Sequence, residues 1–437
     1  MKELIFLHFG NCGCEIGIDL WNLFAKEHKL PSCSLDPGQQ NNSINNLSCL
    51  YDESIRMENV YHARCLFFDT DSQIQRLTKA SSRSQSQFKE ENIVSPIDYA
   101  DYDASSNFGK GYHIMSGEMW DYVKERVRKM VENCDSMGTV LVTHSLGGGT
   151  GSGSTSSLIY DLAHEFQLPM VSKYGHDIVD TMIKSCFSIF PTETYSTSIL
   201  EPYNAVIALH YIHDNVQSIF SYDNYALSNA CVESGIKNPN FKEMNHLISQ
   251  NISTLTSQIR FGSLRDVCET LPISYNANII CNSFVNLQDT SMTELSIKDI
   301  FSRNTSMNMA NNGVTIAMNI AMRGDFSKNH TSLLSEKLKT DWKFSNETEK
   351  AQYQISNKGP ENVYPESFNF SNVMHIANNT TSITSYLENL LKQFDLMYSK
   401  RAFVHWIVGD GGFEEDGFYE AREQLATTIE CYSSFHN

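Results

Sequence analysis

The chain has 437 residues, 41% hydrophobic and 19% charged, so it holds ample material for a packed core and is neither disordered nor fibrous. Its 33 Lys and Arg against 51 Asp and Glu leave a formal charge of −18. Such a surface repels nucleic-acid backbones and anionic lipid heads, so neither nucleic acid nor membrane is an expected partner; a nucleotide held by a few loop amides is still compatible with it.

At roughly 150 residues per domain, the length accommodates about two or three domains. Leu4 to Phe9 reads as a buried strand that runs into a glycine-containing loop, Gly10 to Gly17. Ile16, Leu20, Leu23 and Phe24 then recur at helical spacing. Ser34 to Ser48 reads as a polar loop, and Ala63 to Phe68 as a second strand that ends at Asp69 and Asp71. Met119 to Val131 is a helix with Trp120, Val123, Val127 and Met130 on one side. Thr139 to Thr143 is a strand, followed by a glycine run and a helix from about Thr155 to Phe166. Strands alternating with helices predict an α/β fold with a parallel sheet. Met170 to Lys184 reads as extra material before a strand at Ser185 to Phe190. Glu201-Pro202 opens a helix, Glu243 to Ile259 is a long core helix, and Ser382 to Met397 and Gly417 to Tyr432 are two more. Tyr275 to Asn378 mixes strand-like and helical runs and predicts a second domain.

Eleven scattered cysteines with no Cys-x-x-Cys spacing predict reduced thiols in the cytosol rather than a disulfide frame or zinc ribbon. The apolar run at the start is too short for a signal peptide, and no stretch approaches a membrane span.

The most informative stretch is Gly147-Gly148-Gly149-Thr150-Gly151-Ser152-Gly153, where five of seven residues are glycine. Backbone without Cβ atoms can approach a ligand closely and turn its amides inward, and the following helix adds a partial positive charge. This is a phosphate cradle. It lacks the Gly-Lys-Ser/Thr ending of a Walker loop, and Ser154 stands where the third glycine of the dinucleotide fingerprint belongs. A rival reading takes Thr143-His144-Ser145-Leu146-Gly147 as the nucleophile elbow of an α/β-hydrolase, with Ser145 as nucleophile and an acid and a His downstream as partners, for example Asp325 and His375. The β-branched Thr143 fits the strained elbow poorly, and the remaining glycines go unexplained.

The heptad Gly147 to Gly153, preceded by His144-Ser145-Leu146, resembles the tubulin signature. Gly10-Asn11-Cys12-Gly13-Cys14-Glu15-Ile16-Gly17 resembles the first phosphate loop of that family. Glu201-Pro202-Tyr203-Asn204-Ala205, Asp223-Asn224, Asn245-His246-Leu247 and Arg401-Ala402-Phe403-Val404-His405-Trp406 follow in family order. The likeness runs from residue 1 to about 432 and is weakest between about 262 and 375; no single tubulin subtype is recognisable. It implies a GTP-binding domain over 1–222, a core helix and intermediate domain over 223–381, and a C-terminal helical region over 382–437.

The resemblance also implies roles. Gly10, Asn11 and Cys12 line the phosphate and base side of a GTP or GDP pocket, and Ser145, Gly148, Gly149, Thr150 and Gly151 belong to the phosphate cradle. Asn11 stands where tubulins carry Gln, which shortens its reach to a magnesium-bound water; Glu15 replaces a Gln or Asn and can accept but not donate. Asp69 and Asp71 match the acidic pair that orders Mg²⁺ and its waters. Ala104-Ser105-Ser106-Asn107 matches the γ-phosphate-sensing loop, with Ser105 and Ser106 in place of Gly and Asn. Glu201 binds ribose hydroxyls, Thr197 stands where many tubulins have a ribose-contacting Asp, and Asn224 and Asn245 read the guanine edge. Phe241 replaces the stacking Tyr.

Tubulins stack head to tail with other tubulin subunits, a contact that does not close and so builds filaments. Asp266-Val267-Cys268-Glu269 fits the loop that one subunit offers to its neighbour's GTP, with Glu269 orienting the attacking water; a different placement of the nearby deletion puts Asp266 in that role. The loop between Phe284 and Leu295 is several residues shorter than the lateral loop of microtubule-forming tubulins, and no acidic tail follows Tyr432. The implied function is a cytoplasmic, cytoskeletal GTPase that polymerises; the alternative within the family is a non-hydrolysing GTP-binding cap or seed.

Overall fold

The computed structural model describes residues 3–30, 47–53, 60–71, 74, 87–95, 104, 106–113, 118–164, 170–171, 177–178, 183–262, 277–286, 313–326, 328–345, 351–361, 363, 368 and 370–435. In chain order the main elements are β1 (Glu3–Phe9), α1 (Gly10–Glu27), β2 (Cys65–Phe68), β3 (Ile93–Val94), α2 (Phe108–His113), α3 (Glu118–Glu132), β4 (Met137–Ser145), α4 (Thr155–His164) and β5 (Ile183–Phe190). They continue with α5 (Glu201–His213), β6 (Ser218–Asp223), α6 (Asn224–Glu233), α7 (Phe241–Phe261), β7 (Ile279–Asn286), β8 (Thr315–Arg323), α8 (Lys328–Asp341), β9 (Ala351–Ser356), β10 (Val373–Thr380), α9 (Thr384–Ser399) and α10 (Asp416–Ser434).

The ten strands form one sheet in the order β9-β8-β10-β7-β6-β5-β4-β1-β2-β3. From β3 to β7 every pairing is parallel; β10 runs antiparallel to both β7 and β8. Helices cover both faces, so β1 reads as a nearly continuous apolar run and even the serines of β5 and β6 are buried. Alternate residues feed opposite cores. Ile5, Leu7, Phe9, Val140 and Val142 pack with α3, α4, α5, α9 and α10, whereas Leu4, Phe6, Leu141, Phe220 and Ile280 pack with α1 and α7. Val285, Met318, Ile320, Met374 and Ile376 form a smaller third core with Leu334 and Leu338 of α8.

The expected strands and long helices are present. The stretch Gly10 to Gly17, expected as a loop, is instead the first two turns of α1. Only Gly10 takes a loop-like conformation, with φ +71°, a left-handed value that glycine adopts without strain. The expected extra segment Met170 to Lys184 contains a short antiparallel hairpin, Met170–Val171 with Asp177–Ile178. The strands expected in a second domain continue the first sheet, since β6 and β7 pair in parallel. Most of the loop expected at Ser34 to Ser48 and the whole shortened lateral loop segment 287–295 lie outside the described residues. α7 begins with a capping box in which Asn240 Oδ1 accepts from the Lys242 amide and Glu243 accepts from the Asn240 amide.

Candidate nucleotide site

Because β1, β2, β4, β5 and β6 are parallel, the segments after Phe9, Phe68, Ser145, Phe190 and Asp223 all emerge at one sheet edge. β1 lies between β4 and β2, so the chain winds outward from it in both directions; ligands of open α/β sheets sit in the crevice at such a switch point.

The glycine run is held from several sides. A Cβ on Gly10 would lie 2.9 Å from the Gly151 amide nitrogen, so the start of α1 abuts the loop. The carbonyl of Gly151 only accepts, so His144 donates to it through Nδ1 at 3.0 Å, and Nε2 accepts from the Ser188 hydroxyl at 2.8 Å. Burial lowers the His144 pKa to about 4, which keeps the ring neutral at pH 7. Asn204 Nδ2 donates to the carbonyls of Gly147 at 2.7 Å and Ser106 at 2.6 Å, while its Oδ1 accepts from the Phe108 amide at 3.1 Å. The Thr70 and Thr150 hydroxyls bond at 2.8 Å, joining the acidic segment after β2 to the glycine run. At Gly148 a Cβ would meet nothing within 4 Å, so the cradle is open there.

Several residues singled out from the sequence converge on this edge. Asn11 is exposed and Cys12 half-buried on the first turn of α1; burial, with Glu15 beside it, pushes the Cys12 thiol up to about 12. Ala104 is buried and its carbonyl accepts from the Asn107 amide, while Ser105 lies outside the described residues. Ser145 accepts from the Gly147 amide at 3.3 Å, and Gly149 contributes its carbonyl to the Ser152 hydroxyl. Glu201 reaches over the loop, since a Cβ on Gly147 would lie 3.1 Å from Glu201 Cγ. Its Oε1 accepts from the Thr197 amide at 2.7 Å, the Thr197 hydroxyl at 3.1 Å and the Ser198 amide at 3.2 Å. Asp69 is buried and Asp71 exposed.

The residues expected to meet a base lie on α6 and α7. Asn224 starts α6 immediately after the Asp223 cap, whose carboxylate accepts from the Ala226 amide at 2.7 Å. Phe241 is 50% exposed on α7, with its ring edge-on to Tyr195 at 6.4 Å, and Asn245 follows one turn later. Asn245 Nδ2 donates to Glu15 Oε2 at 3.3 Å; burial raises the Glu15 pKa, and this bond opposes the rise. The hydrolysis candidates Asp266 and Glu269 lie outside the described residues.

Among the described residues no group of three or more His, Cys, Asp or Glu side chains is arranged to hold a metal. The donors that would hold magnesium are the two carboxylates after β2, Asp69 and Asp71, and magnesium uses one or two carboxylates with phosphate oxygens and retained waters. The hydrolase triad fails on distance. Ser145 ends β4 and His375 lies on β10, four strands away, or about 19 Å at the usual strand spacing. His375 is buried and bonded to Asn282 instead.

Sequence reasoning assigned no role to Asn204, His144 or Thr70. Asn204 was detectable only as the residue one turn after Glu201 on the same helix face. His144 stands three residues before the heptad, but its bond to Ser188, 44 residues on, links β4 to β5.

Comparison with known proteins bears on the same region. A family model described as "Tubulin/FtsZ family, GTPase domain" matches residues 3–232, the span from β1 through α6. The chain is 31% identical to the tubulin alpha-3 chain of Saccharomyces cerevisiae, over 99% of this chain and 97% of that one. It is 30% identical to the nucleomorph tubulin alpha chain of Guillardia theta and 28% identical to the tubulin alpha chain of Dictyostelium discoideum, each over 99% of this chain and 96% of the relative. No described helix is long and apolar enough to cross a membrane. With a likeness that spans both the glycine-gripping half and the sheet's antiparallel end, this chain belongs to the tubulin family.

Proposed function

We propose that this chain is a divergent cytoskeletal tubulin that binds GTP at the sheet edge, stacks head to tail with other tubulin subunits, and hydrolyses the nucleotide at their contact. GTP binding and polymer assembly are general properties of tubulins. The observation that carries the site assignment is the gathering of Gly10, Asp69, Ala104 and the Gly147–Gly151 run at one edge, tied together by Asn204, His144 and Thr70.

In this reading the amides of Gly10 and of Gly148 to Gly151 hold phosphate oxygens, Glu201 accepts from ribose hydroxyls, Phe241 stacks on the base, and Asn224 and Asn245 pair with its edge. Asp69, Asp71 and Asn11 would hold magnesium through its water shell. The metal, when bound, neutralises charge on the phosphates. Glu269, or Asp266, orients a water toward the GTP of the adjoining subunit. Each subunit therefore completes its neighbour's site, and turnover rises with assembly.

GTP turnover per subunit, measured against protein concentration for wild type, Glu269→Ala and Asp266→Ala, tests this. Turnover that climbs with concentration and drops in one of the two variants supports it. Turnover independent of concentration and of both substitutions rejects intersubunit hydrolysis.

A further inference from the structure

Helix α2 is wedged between the glycine run and the segment that joins α9 to α10. Gly109 and Gly111 lie two residues apart on it, about 200° around the helix axis, and so face opposite sides. At Gly111 the carbonyl of Gly149 leaves no room for a Cβ. At Gly109 a Cβ would lie 2.7 Å from the carbonyl oxygen of Ile407 and 2.9 Å from that of Gly411. Backbone therefore meets backbone on both sides, and close-packed contacts of this kind transmit a displacement rather than absorb it.

Hydrogen bonds reinforce the wedge. Asn107, the buried residue before α2, donates through Nδ2 to the Trp406 carbonyl at 2.7 Å. The same carbonyl accepts from the Gly411 amide at 2.9 Å, which closes a wide turn of the chain. Helix α5 supplies a second link: Asn204 bonds the Gly147 and Ser106 carbonyls, and the hydroxyl of the preceding residue, Tyr203, donates to the Ala402 carbonyl at 2.9 Å. The far end of both links is strained and faces outward. Arg401 and Phe403 have φ +52° and +60°, left-handed values that residues with a Cβ rarely adopt. Such backbone persists only while its surroundings hold it, and the holders here are the bonds from Asn107 and Tyr203. The Phe403 ring packs on Trp406 with centroids 5.0 Å apart, and Trp406 is 40% exposed.

We infer that segment 401–412 is a nucleotide-responsive surface: a terminal phosphate that shifts the 104–107 loop and the glycine run changes the presentation of Phe403 and Trp406, through Asn107, α2 and Tyr203. The inference rests on the reading of this edge as the GTP site. It gives that site an output on the outer face between α9 and α10, present in a single subunit before any stacking. Coupling is reciprocal, so a change made at the far end alters the preference for GTP over GDP.

Acrylamide quenching of tryptophan fluorescence tests it, with the signal of Trp406 isolated by subtracting that of Trp406→Phe. The full chain is used with magnesium, dilute enough to sediment as single subunits, and loaded with GDP or with the non-hydrolysable β,γ-methylene analogue of GTP. The two nucleotides should give Trp406 different quenching constants. Asn107→Ala and Tyr203→Phe should each lose most of that difference; should Asn107→Ala fail to fold, Tyr203→Phe, which keeps its ring, decides alone. Phe403→Gly, which relieves the left-handed strain at the far end, should change the GTP-to-GDP affinity ratio by about fivefold, the lower end of coupling between linked sites. Equal quenching with both nucleotides, each shown by calorimetry to bind, overturns the inference and leaves the site reading standing. A difference that survives undiminished in Asn107→Ala and Tyr203→Phe overturns it too, since the signal would travel by another route, and so does an affinity ratio that Phe403→Gly leaves unmoved. Wild-type protein that binds no guanine nucleotide rejects the site reading itself.

Discussion

The Cβ that Gly111 lacks would sit 2.1 Å from the carbonyl oxygen of Gly149. Helix α2 therefore lies directly on the backbone of the glycine run, with no side chain between them. Gly111→Ala should force the two apart. We expect GTP affinity to fall tenfold or more, roughly 1.4 kcal/mol, together with a lower Tm. Gly148→Ala is the contrasting case, because its Cβ would meet no protein atom within 4 Å. Stability should change by no more than about 0.5 kcal/mol while GTP binding weakens, since in the proposed site the new methyl enters the space assigned to the phosphates. Calorimetry paired with thermal melts separates the two; equal Tm losses for both variants would contradict the packing described.

Glu27 joins three elements. Its carboxylate accepts from Arg260 of α7 at 2.6 Å, from Arg323 of β8 at 2.8 Å and from the Ser253 hydroxyl at 2.8 Å, all out of contact with solvent. Burial alone would raise its pKa, but the Arg323 and Arg260 guanidiniums outweigh that and hold it at about 2. Glu27→Gln should cost about 3–5 kcal/mol at pH 7, because two buried guanidiniums lose their counter-charge. The folded-state pKa lies below the ordinary 4.5, so the ionised carboxylate stabilises above pH 4.5 and that contribution is lost as the pH falls toward about 2. Urea unfolding at pH 7 and pH 3 should show the gap between wild type and variant shrinking in acid.

Much of this was visible in the residues, and what was not has identifiable causes. The glycine heptad between a Val-rich strand and an apolar helix marked the cradle, because strand, loop and helix each carry a local pattern. The segment Gly10 to Gly17 misled because its glycines looked like loop glycines. A Cβ on Gly13 would lie 2.2 Å from the carbonyl oxygen of Thr143, so this glycine serves close packing of α1 on β4. Glycine at a helix–strand contact and glycine in a turn have the same letter and different reasons. Continuity of the sheet past β6 was equally hidden, because strand pairing across 50 or more residues leaves no local periodicity. The contacts made by Asn204 belong to the same class: its partners Phe108 and Gly147 lie 96 and 57 residues away.

Asp69 tests the magnesium assignment. It is buried, its amide donates to the Val94 carbonyl at 3.2 Å, and the next residue, Thr70, bonds Thr150, so the aspartate sits at the edge beside the glycine run. Chelating magnesium should weaken GTP binding by wild type, and GDP binding less, since the triphosphate offers the metal more oxygens. Asp69→Asn should lose most of that dependence. A variant whose GTP affinity still falls as far on adding chelator as wild type would remove Asp69 from the metal's surroundings.

His144 makes the cradle sensitive to acid. Its ring is fully buried, donates to Gly151 and accepts from Ser188, and burial lowers its pKa from 6.5 to about 4. The unfolded chain therefore binds a proton that the folded chain refuses between those two values, and stability is lost as the pH falls from about 6.5 to about 4. For this one group the loss approaches roughly 3 kcal/mol. His8 and His375, whose pKa values burial lowers to about 3, act in the same direction. His144→Gln should cost about 1–3 kcal/mol at pH 7, from the disturbed partners, yet flatten the pH dependence by up to one proton. Denaturant midpoints at pH 5, 6 and 7 measure both effects. If the variant keeps the wild-type slope, His144 is not the neutral, buried ring that holds Gly151, and the carbonyl of the loop must be secured in some other way.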